Sequence, residues 1–256
     1  MKRKAAVRKP QAKKQAASKG VTFVSLVLDE TGSMADCRGA TVSGFNEYIK
    51  TLKTRKDPVK FTLTLFNTNK TEIRHRCVPL EMVRELNNLN YIPDACTNLY
   101  DAVAAAIRAM EGDIASVSPK PAVLCVIMTD GQENSSKEYD YDKIRDLIQE
   151  KEKDGWNFVY LGANQDAWAV GTSLGIAAHN TMSYKPSDTK HVAAFVGLVT
   201  NNYRGQSGGV SMKHSSLVSD TLAKNKKEFE DLDEFDKATS GTGTAWPAGQ
   251  PSTTRK

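Results

Sequence analysis

The sequence predicts a doubly wound α/β domain with a mostly parallel sheet and helices on both faces, and two observations support this. Segments 21–28, 121–128 and 158–161 are strand-sized and nearly continuous in hydrophobicity, as in strands that a parallel sheet buries on both sides. Segments with apolar residues three and four positions apart, the helical period, separate these strands. Strands that alternate with helices are typical of a parallel sheet covered by helices.

Between the first two buried strands, the pattern predicts a helix over 42–52, a hairpin and two further helices. The hairpin joins an alternating strand at 59–66 to a more polar strand at 71–78 through a short turn. We therefore expect the polar strand to be an antiparallel edge strand. A short helix is predicted over 81–89 and a long, alanine-rich helix over 98–110.

The C-terminal half continues the alternation and then changes composition. Helices are predicted over 141–153, 166–174 and 189–202, and a short last strand over 180–184. After Gly205 the chain is mixed in charge and then rich in Ala, Thr, Ser, Gly and Pro, which favours a loosely ordered segment. The predicted organisation is a basic arm over 1–20, a folded domain over 21–205 and a flexible, low-complexity tail over 206–256.

Charge is distributed unevenly along the 256 residues, whose net charge is +5. Residues 1–20 carry eight basic side chains and no acidic one, so the rest of the chain has 27 basic and 30 acidic residues. Blocks of like charge are usually disordered. Two interpretations stay open: an arm that contacts nucleic acid, an acidic partner or an anionic surface, and a solvated tail that aids solubility. The arm has no aromatic residue for base stacking.

Targeting signals and cysteine usage predict a cytoplasmic protein. No apolar run is long enough to span a bilayer, and the basic start is not followed by the apolar core of a secretion signal. The four cysteines, Cys37, Cys77, Cys96 and Cys125, contain no CxxC pair. We therefore expect reduced thiols, and neither disulfides nor a zinc site.

Two of the buried strands end in acidic turns that also carry hydroxyl groups, Asp29-Glu30-Thr31-Gly32-Ser33 and Thr129-Asp130-Gly131. In a Rossmann-like sheet, ligands bind beyond the carboxyl ends of the strands, where the strand order reverses. Two aspartates placed together there repel one another unless a cation lies between them. The turns therefore predict a hard divalent cation with oxygen ligands.

The pattern Asp29-x-Thr31-x-Ser33, followed by Thr97 at a helix start and by Asp130-Gly131, resembles the metal-ion-dependent adhesion site of von Willebrand factor A domains. The segments LDETGSM, GFNEYI, TNLYDA, MTDGQEN and GWNFVYLGANQDAW are similar to a prokaryotic and phage branch of that family, over about residues 21–205. A phage-encoded member would be associated with the virion. Thr31 stands where many members have Ser, and it keeps the hydroxyl oxygen while adding a methyl group.

The resemblance implies the von Willebrand factor A fold and a non-enzymatic, metal-dependent protein-binding module. Oxygen ligands would come from the hydroxyls of Thr31, Ser33 and Thr97, directly or through water. Asp29 and Asp130 would supply charge, often through metal-bound water. The implied ion is Mg²⁺, with Mn²⁺ or Ca²⁺ as alternatives, and an Asp or Glu of another protein would take an open position on it.

Other functions compete with this one. A structural or assembly component of a phage particle or bacterial complex stays open, whereas a metal-dependent hydrolase or phosphatase is disfavoured. An aspartyl-phosphate phosphatase needs an acid two residues after Asp29, where this chain has Thr31. The GxSxG sequence at 171–175 lacks the preceding strand of a nucleophile elbow, so we expect a helix that ends at Gly175. Glu30 and Glu133 are expected to be a solvated acid and a surface acid.

Overall fold

The computed structural model describes residues 20–239, whose strands form one six-stranded sheet in the order β3-β2-β1-β4-β5-β6. Neighbouring strands are parallel except for β2 and β3, which pair antiparallel. The predicted fold class is therefore confirmed, including the antiparallel edge strand. The basic arm, apart from Gly20, lies outside the described residues. The strands are β1 (Thr22–Asp29), β2 (Val59–Asn67), β3 (Lys70–Pro79), β4 (Ala122–Thr129), β5 (Asn157–Ala163) and β6 (Thr181–Tyr184).

Helices cover both faces of the sheet because alternate residues of each strand point to opposite sides. Val24, Leu26 and Leu28 of β1 face one apolar cluster, which includes buried side chains of α1 and α5. Phe23 and Val27 face the other cluster, with buried side chains of α2 and α3. The helices are α1 (Arg38–Lys53), α2 (Leu99–Ile114), α3 (Tyr141–Lys153), α4 (Ala167–Ser173), α5 (Thr189–Ser207), α6 (Leu217–Lys224) and α7 (Glu230–Thr239).

The strand order reverses between β1 and β4, in the middle of the sheet. From β1 the chain proceeds to β2 and β3 on one side, and then returns to β4 and continues to β5 and β6 on the other. The register pairs Leu28 with Met128, so β1 and β4 end side by side. This is the position at which open α/β sheets bind ligands, and it lies directly below the turns that begin at Asp29 and Asp130.

The prediction of a helix over 81–89 is wrong. Only Leu80–Met82 forms a single 3₁₀ turn, and the chain then runs without regular structure towards α2. The Asn46 side chain of α1 donates to the Leu86 carbonyl at 3.0 Å and accepts from the Leu86 N–H at 2.9 Å. Because both main-chain groups of Leu86 bond to this amide, they do not form the hydrogen bonds of an α-helix. Asn side chains often compete with helical hydrogen bonds in this way.

The structure also differs from the prediction of a loosely ordered tail after residue 205. Helix α5 continues to Ser207, and α6 and α7 follow it. Leu217, Leu222, Phe229 and Leu232 are buried in the same apolar cluster as β1. Residues 206–239 are therefore part of the domain, whereas 240–256 lie outside the described residues. Within 20–239, no helix is both long enough and apolar enough to cross a membrane.

Candidate metal centre

Asp29 is the last residue of β1, and hydrogen bonds from two sides fix its carboxylate. Oδ1 accepts the N–H of Thr31 at 2.7 Å, and Oδ2 accepts the hydroxyl of Thr129 at 2.5 Å. The main-chain carbonyl of Asp29 accepts the Tyr91 hydroxyl at 2.6 Å. Asp29 is fully buried. The bond to Thr129, the last residue of β4, fixes the carboxylate between the two strand ends.

The hydroxyl groups of the first turn reach across to Asp130. Ser33 Oγ donates to Asp130 Oδ1 at 2.6 Å, and Thr31 Oγ1 lies 3.0 Å from Ser33 Oγ. Because the Ser33 hydrogen is used on Asp130, Thr31 is the donor to Ser33. Ser33 is exposed, whereas Thr31 is buried. The chain Thr31–Ser33–Asp130 therefore opens to solvent at Ser33.

Thr97 approaches the same point because Gly131 has no side chain. A Cβ atom at Gly131 would lie 2.7 Å from Thr97 Oγ1, closer than real Cβ contacts, and 3.6 Å from Asp29 Oδ2. Thr97 Oγ1 and Asp29 Oδ2 thus border the same small space beside Gly131. The structure therefore brings all five predicted site residues together at the carboxyl edge of the sheet.

The loop after Asp130 fixes Thr97 through residues that sequence reasoning did not assign to this role. Asn134 Oδ1 accepts the N–H of Thr97 at 3.1 Å, and the N–H of Asn134 donates to the Thr97 carbonyl at 3.1 Å. Glu133, expected to be a surface acid, is partly buried and accepts the N–H groups of Tyr100 and Ser136. It occupies the start of α2, where free N–H groups favour a carboxylate.

The prediction that Glu30 is solvated is wrong. Its side chain is fully buried, Oε2 lies 2.9 Å from Lys70 Nζ, and Oε1 accepts the N–H of Ile92 at 2.6 Å. Lys70 comes from β3, at the start of the antiparallel edge strand. The charge of Glu30 is therefore compensated within the protein.

Asp29 and Asp130 lack such compensation. Among the described residues, neither forms an ion pair with a Lys, Arg or His side chain, whereas the adjacent Glu30 does. Burial and, to a smaller extent, the charge of Asp130 raise the pKa of Asp29, and the hydrogen bonds from Thr129 and Thr31 oppose the rise, which leaves the pKa at about 6. Burial also raises the pKa of Asp130, against its bond from Ser33. Two neighbouring, desolvated carboxylates thus have no Lys, Arg or His partner within residues 20–239, which is unfavourable when both are charged.

The donor atoms at this site fit a hard cation. They are two carboxylates and three hydroxyls, with no nitrogen or sulfur. No group of three or more His, Cys, Asp or Glu side chains within residues 20–239 forms a candidate metal cluster, so any ion here depends on the hydroxyls. Oxygen-only donors suit Mg²⁺, Mn²⁺ or Ca²⁺ and not zinc. The four cysteines are free thiols, and Cys37 and Cys125 are buried.

The GxSxG sequence at 171–175 is the end of helix α4, as expected. Ser173 is the last residue of α4, and its hydroxyl donates to the Val170 carbonyl at 2.7 Å. Gly175 has φ +89°, a left-handed conformation that ends helices. The Ser173 hydroxyl is thus bonded within its own helix.

Comparison with known proteins gives structural neighbours only. No family model matches the sequence, and no curated protein matches it. Two pilus proteins share the fold. The PilB minor pilin from Streptococcus sanguinis is 12% identical with a TM-score of 0.51, over 75% of this chain and 63% of that one. The pilus adhesin SpaC from Lactobacillus rhamnosus GG is 10% identical with a TM-score of 0.53, over 75% of this chain and 31% of that one.

A von Willebrand factor type A structure from Catenulispora acidiphila also matches, at 13% identity and a lower TM-score of 0.46, over 71% of this chain and 42% of that one. This chain spans less than two thirds of the length of each of these three proteins. The molecule is thus an α/β domain whose fold occurs in pilus proteins.

Proposed function

We propose that this chain is a divalent-metal-dependent protein-binding module, in which a metal ion at the carboxyl edge of the sheet binds a carboxylate of a partner protein. The observation that carries the proposal is the contrast between Glu30, whose charge the protein compensates, and the neighbouring acids Asp29, which is buried, and Asp130, which is partly buried. Glu30 has a protein cation, Lys70, at 2.9 Å. Asp29 and Asp130 have none among the described residues, and hydroxyl groups surround them. A bound cation would supply the missing charge.

Thr31, Ser33 and Thr97 would hold the ion through their hydroxyl oxygens, with Asp29 and Asp130 balancing its charge. When bound, Mg²⁺ supplies a strong positive charge and keeps several exchangeable oxygen positions. Ser33 is exposed, so the ion would be reachable from solvent on that side. A carboxylate from another protein fits such a position because it is an anionic oxygen donor.

Binding rather than catalysis suits the residues around the site. No histidine or lysine of residues 20–239 hydrogen-bonds to any of the five site residues, and Asp29 is already held by Thr31 and Thr129. A general base needs to reach a substrate or a water molecule, and the Asp29 carboxylate is fully buried. The two pilus proteins that share the fold are also described as a pilin and an adhesin.

Titration calorimetry of Mg²⁺ into chelator-stripped protein tests the metal assignment. We expect the wild type to bind and Asp29→Ala to lose binding. The matched control is Asp142→Ala, because Asp142 is a largely exposed acid on α3 that pairs with Arg145. It should bind as the wild type does. Equal binding by wild type and Asp29→Ala would refute the assignment.

The partner carboxylate is tested separately with a displayed library of short random peptides. Selection on immobilised wild-type protein in Mg²⁺, with elution by EDTA, should enrich peptides that contain Asp or Glu. Changing that acid to its amide in an enriched peptide should abolish binding. Enrichment that is indifferent to EDTA, or to the amide change, would contradict a metal-bridged contact.

A further inference from the structure

Exposed apolar side chains cluster in one segment beside the candidate metal centre. Eight large hydrophobic residues are exposed within the described part of the chain, and three of them, Met82, Leu89 and Ile92, fall within eleven residues. Leu89 has 88% of its surface exposed, the highest value among them. Single exposed apolar residues are ordinary on protein surfaces, but clusters of them mark interaction sites.

The segment that carries Leu89 and Ile92, residues 86–93, is held in place by side chains from α1 and β3. We name it the Leu89 loop. Arg38 donates from Nε to the Tyr91 carbonyl at 3.0 Å and also bonds to the Asn88 carbonyl. Arg74 bonds to the Asn90 carbonyl. The loop lacks regular secondary structure, but its carbonyls are bonded to two arginines.

Bonds within the loop add to this order. Asn87 Oδ1 accepts the N–H of Leu89 at 2.8 Å, and Asn90 Oδ1 accepts the N–H of Asn87 at 2.8 Å. The loop therefore loses its conformational entropy when the protein folds and not when a partner binds. A preformed loop that displays apolar side chains loses little conformational entropy when a partner covers it.

The Leu89 loop is bonded directly to the turn that carries the site. The Tyr91 hydroxyl donates to the Asp29 carbonyl at 2.6 Å, and the N–H of Ile92 donates to Glu30 at 2.6 Å. Just beyond the loop, the Ala95 carbonyl accepts the N–H of Gly32 at 3.0 Å. Leu89 and Ile92 are thus displayed by the same unit that positions Asp29.

A groove lined by two arginines adjoins the loop. It has a volume of about 480 Å³, and its lining includes Arg74, Met82, Arg84 and Asn90. Arg84 is exposed and forms no ion pair within residues 20–239, and Glu85 is the only acid among the lining residues. Arg74 is paired with Glu72 at 2.8 Å, so its charge is compensated. The groove therefore combines the apolar Met82 with the cation of Arg84, unpaired within the described chain, which complements an acidic residue of a partner.

We propose that the Leu89 loop is the apolar part of the partner interface. The partner is a protein segment whose metal-binding Asp or Glu is flanked by apolar side chains, which pack on Leu89 and Ile92, and by further acidic residues facing Arg84. This inference rests on the proposed function, because the same partner provides the carboxylate. Buried apolar anchors commonly supply most of the energy of such contacts.

The test uses peptides selected on the wild-type protein in Mg²⁺, measured by fluorescence anisotropy against variants of the full chain. Apolar residues should be enriched beside the acid in the selected peptides. Leu89→Ser/Ile92→Ser should weaken binding by about tenfold for each side chain lost. The control Val210→Ser/Met212→Ser removes two exposed apolar side chains next to the start of β4, at the opposite edge of the sheet, and should leave binding unchanged. The affinity of every variant for Mn²⁺ alone is also measured by titration calorimetry, to show whether the metal site is intact.

The outcomes separate this inference from the proposed function. If Mg²⁺-dependent peptides bind the wild type and Leu89→Ser/Ile92→Ser equally, the inference is overturned while the proposed function stands. If no Mg²⁺-dependent peptide emerges, both fail. If Leu89→Ser/Ile92→Ser also loses Mn²⁺ binding, the loop supports the site and the interface proposal is wrong. If the wild type self-associates in the ultracentrifuge through Leu89 and Ile92, the occupant is a second copy and the proposal is again overturned.

Discussion

Replacing Asp29 by Asn should stabilise the metal-free protein while abolishing its response to Mg²⁺. The carboxylate is fully buried, with no cation from residues 20–239 beside it. Its pKa rises from 3.8 to about 6, and each tenfold loss of acid strength corresponds to about 1.4 kcal/mol. The ionised carboxylate therefore costs the folded state on the order of 3 kcal/mol. Asn keeps the shape and removes the charge.

The sign of the pH dependence follows from the raised pKa. Between pH 3.8 and about 6 the folded protein binds more protons at Asp29 than the unfolded chain does. Stability therefore falls as the pH rises through this window, and the cost is complete above about pH 6. The advantage of Asp29→Asn should be largest at about pH 7.5 and should shrink towards about pH 4.

The net gain is smaller than the full electrostatic cost, because both carboxylate oxygens accept hydrogen bonds, from Thr31 and Thr129, and Asn replaces one of them with an NH₂ group that cannot accept. We expect about 1–2 kcal/mol at about pH 7.5 in EDTA, allowing for the lost acceptor. Mg²⁺ at about 100 times its dissociation constant should stabilise the wild type by about 2.7 kcal/mol. It should leave Asp29→Asn unchanged.

Urea unfolding followed by circular dichroism, in EDTA and in Mg²⁺, measures both effects. The order of stability should reverse, with Asp29→Asn above the wild type in EDTA and below it in Mg²⁺. Ser33→Ala is a useful second variant, because it keeps both carboxylates and removes one hydroxyl. It therefore separates the role of the hydroxyl from that of the charge in the response to Mg²⁺. If Asp29→Asn is less stable than the wild type in EDTA at neutral pH, the site does not carry uncompensated charge, and the electrostatic argument for a cation is refuted.

Two further predictions concern cationic side chains, the partly exposed Lys70 beside the buried Glu30 and the buried Arg204. Lys70→Met should destabilise the fold by about 2 kcal/mol, because it leaves Glu30 buried without its cation. The added change Glu30→Gln should restore most of the lost stability, as measured by urea unfolding. If stability is not restored, the assigned pair is contradicted. Arg204→Met should cost about 3 kcal/mol, since the buried guanidinium bonds to the carbonyl of Leu52 near the C-terminus of α1. Arg108→Met, at an exposed arginine that pairs with the partly buried Glu111, should change the urea midpoint little. An equal effect of both changes would refute the role of Arg204.

The fold and the approach of Asp29 to Asp130 were predictable because both depend on short-range patterns, whereas Thr97 was expected at the site only through the family resemblance. The apolar runs that became β1, β4 and β5 require burial on both faces, which places them in a parallel sheet covered by helices. The carboxyl ends of parallel strands lie at one edge, so turns far apart in sequence meet there. Nothing beyond strand position and turn composition was needed to expect Asp29 next to Asp130.

The errors arose where long-range contacts override local pattern. Glu30 is an acid in a polar turn, and its burial depends on Lys70, which lies far along the chain on the edge strand. The segment 81–89 has helical spacing, but Asn46 bonds to the main chain of Leu86 and competes with the helix. The mixed charge of the C-terminal segment similarly obscured its apolar residues, such as Leu217 and Phe229, which complete the core beside α5.

The placement of Glu30 also explains why the metal site and the Leu89 loop form one unit. Asp29 bonds to Thr129 at the end of β4, whereas Glu30 bonds to Lys70 of β3 and to Ile92 of the loop. Glu30 satisfies its charge with Lys70, and its second oxygen is then available to hold the N–H of Ile92. This side-chain bond adds to the bond from the Tyr91 hydroxyl to the main-chain carbonyl of Asp29. The carboxylate without a protein cation among the described residues and the apolar side chains beside it are thus fixed by the same short stretch of backbone.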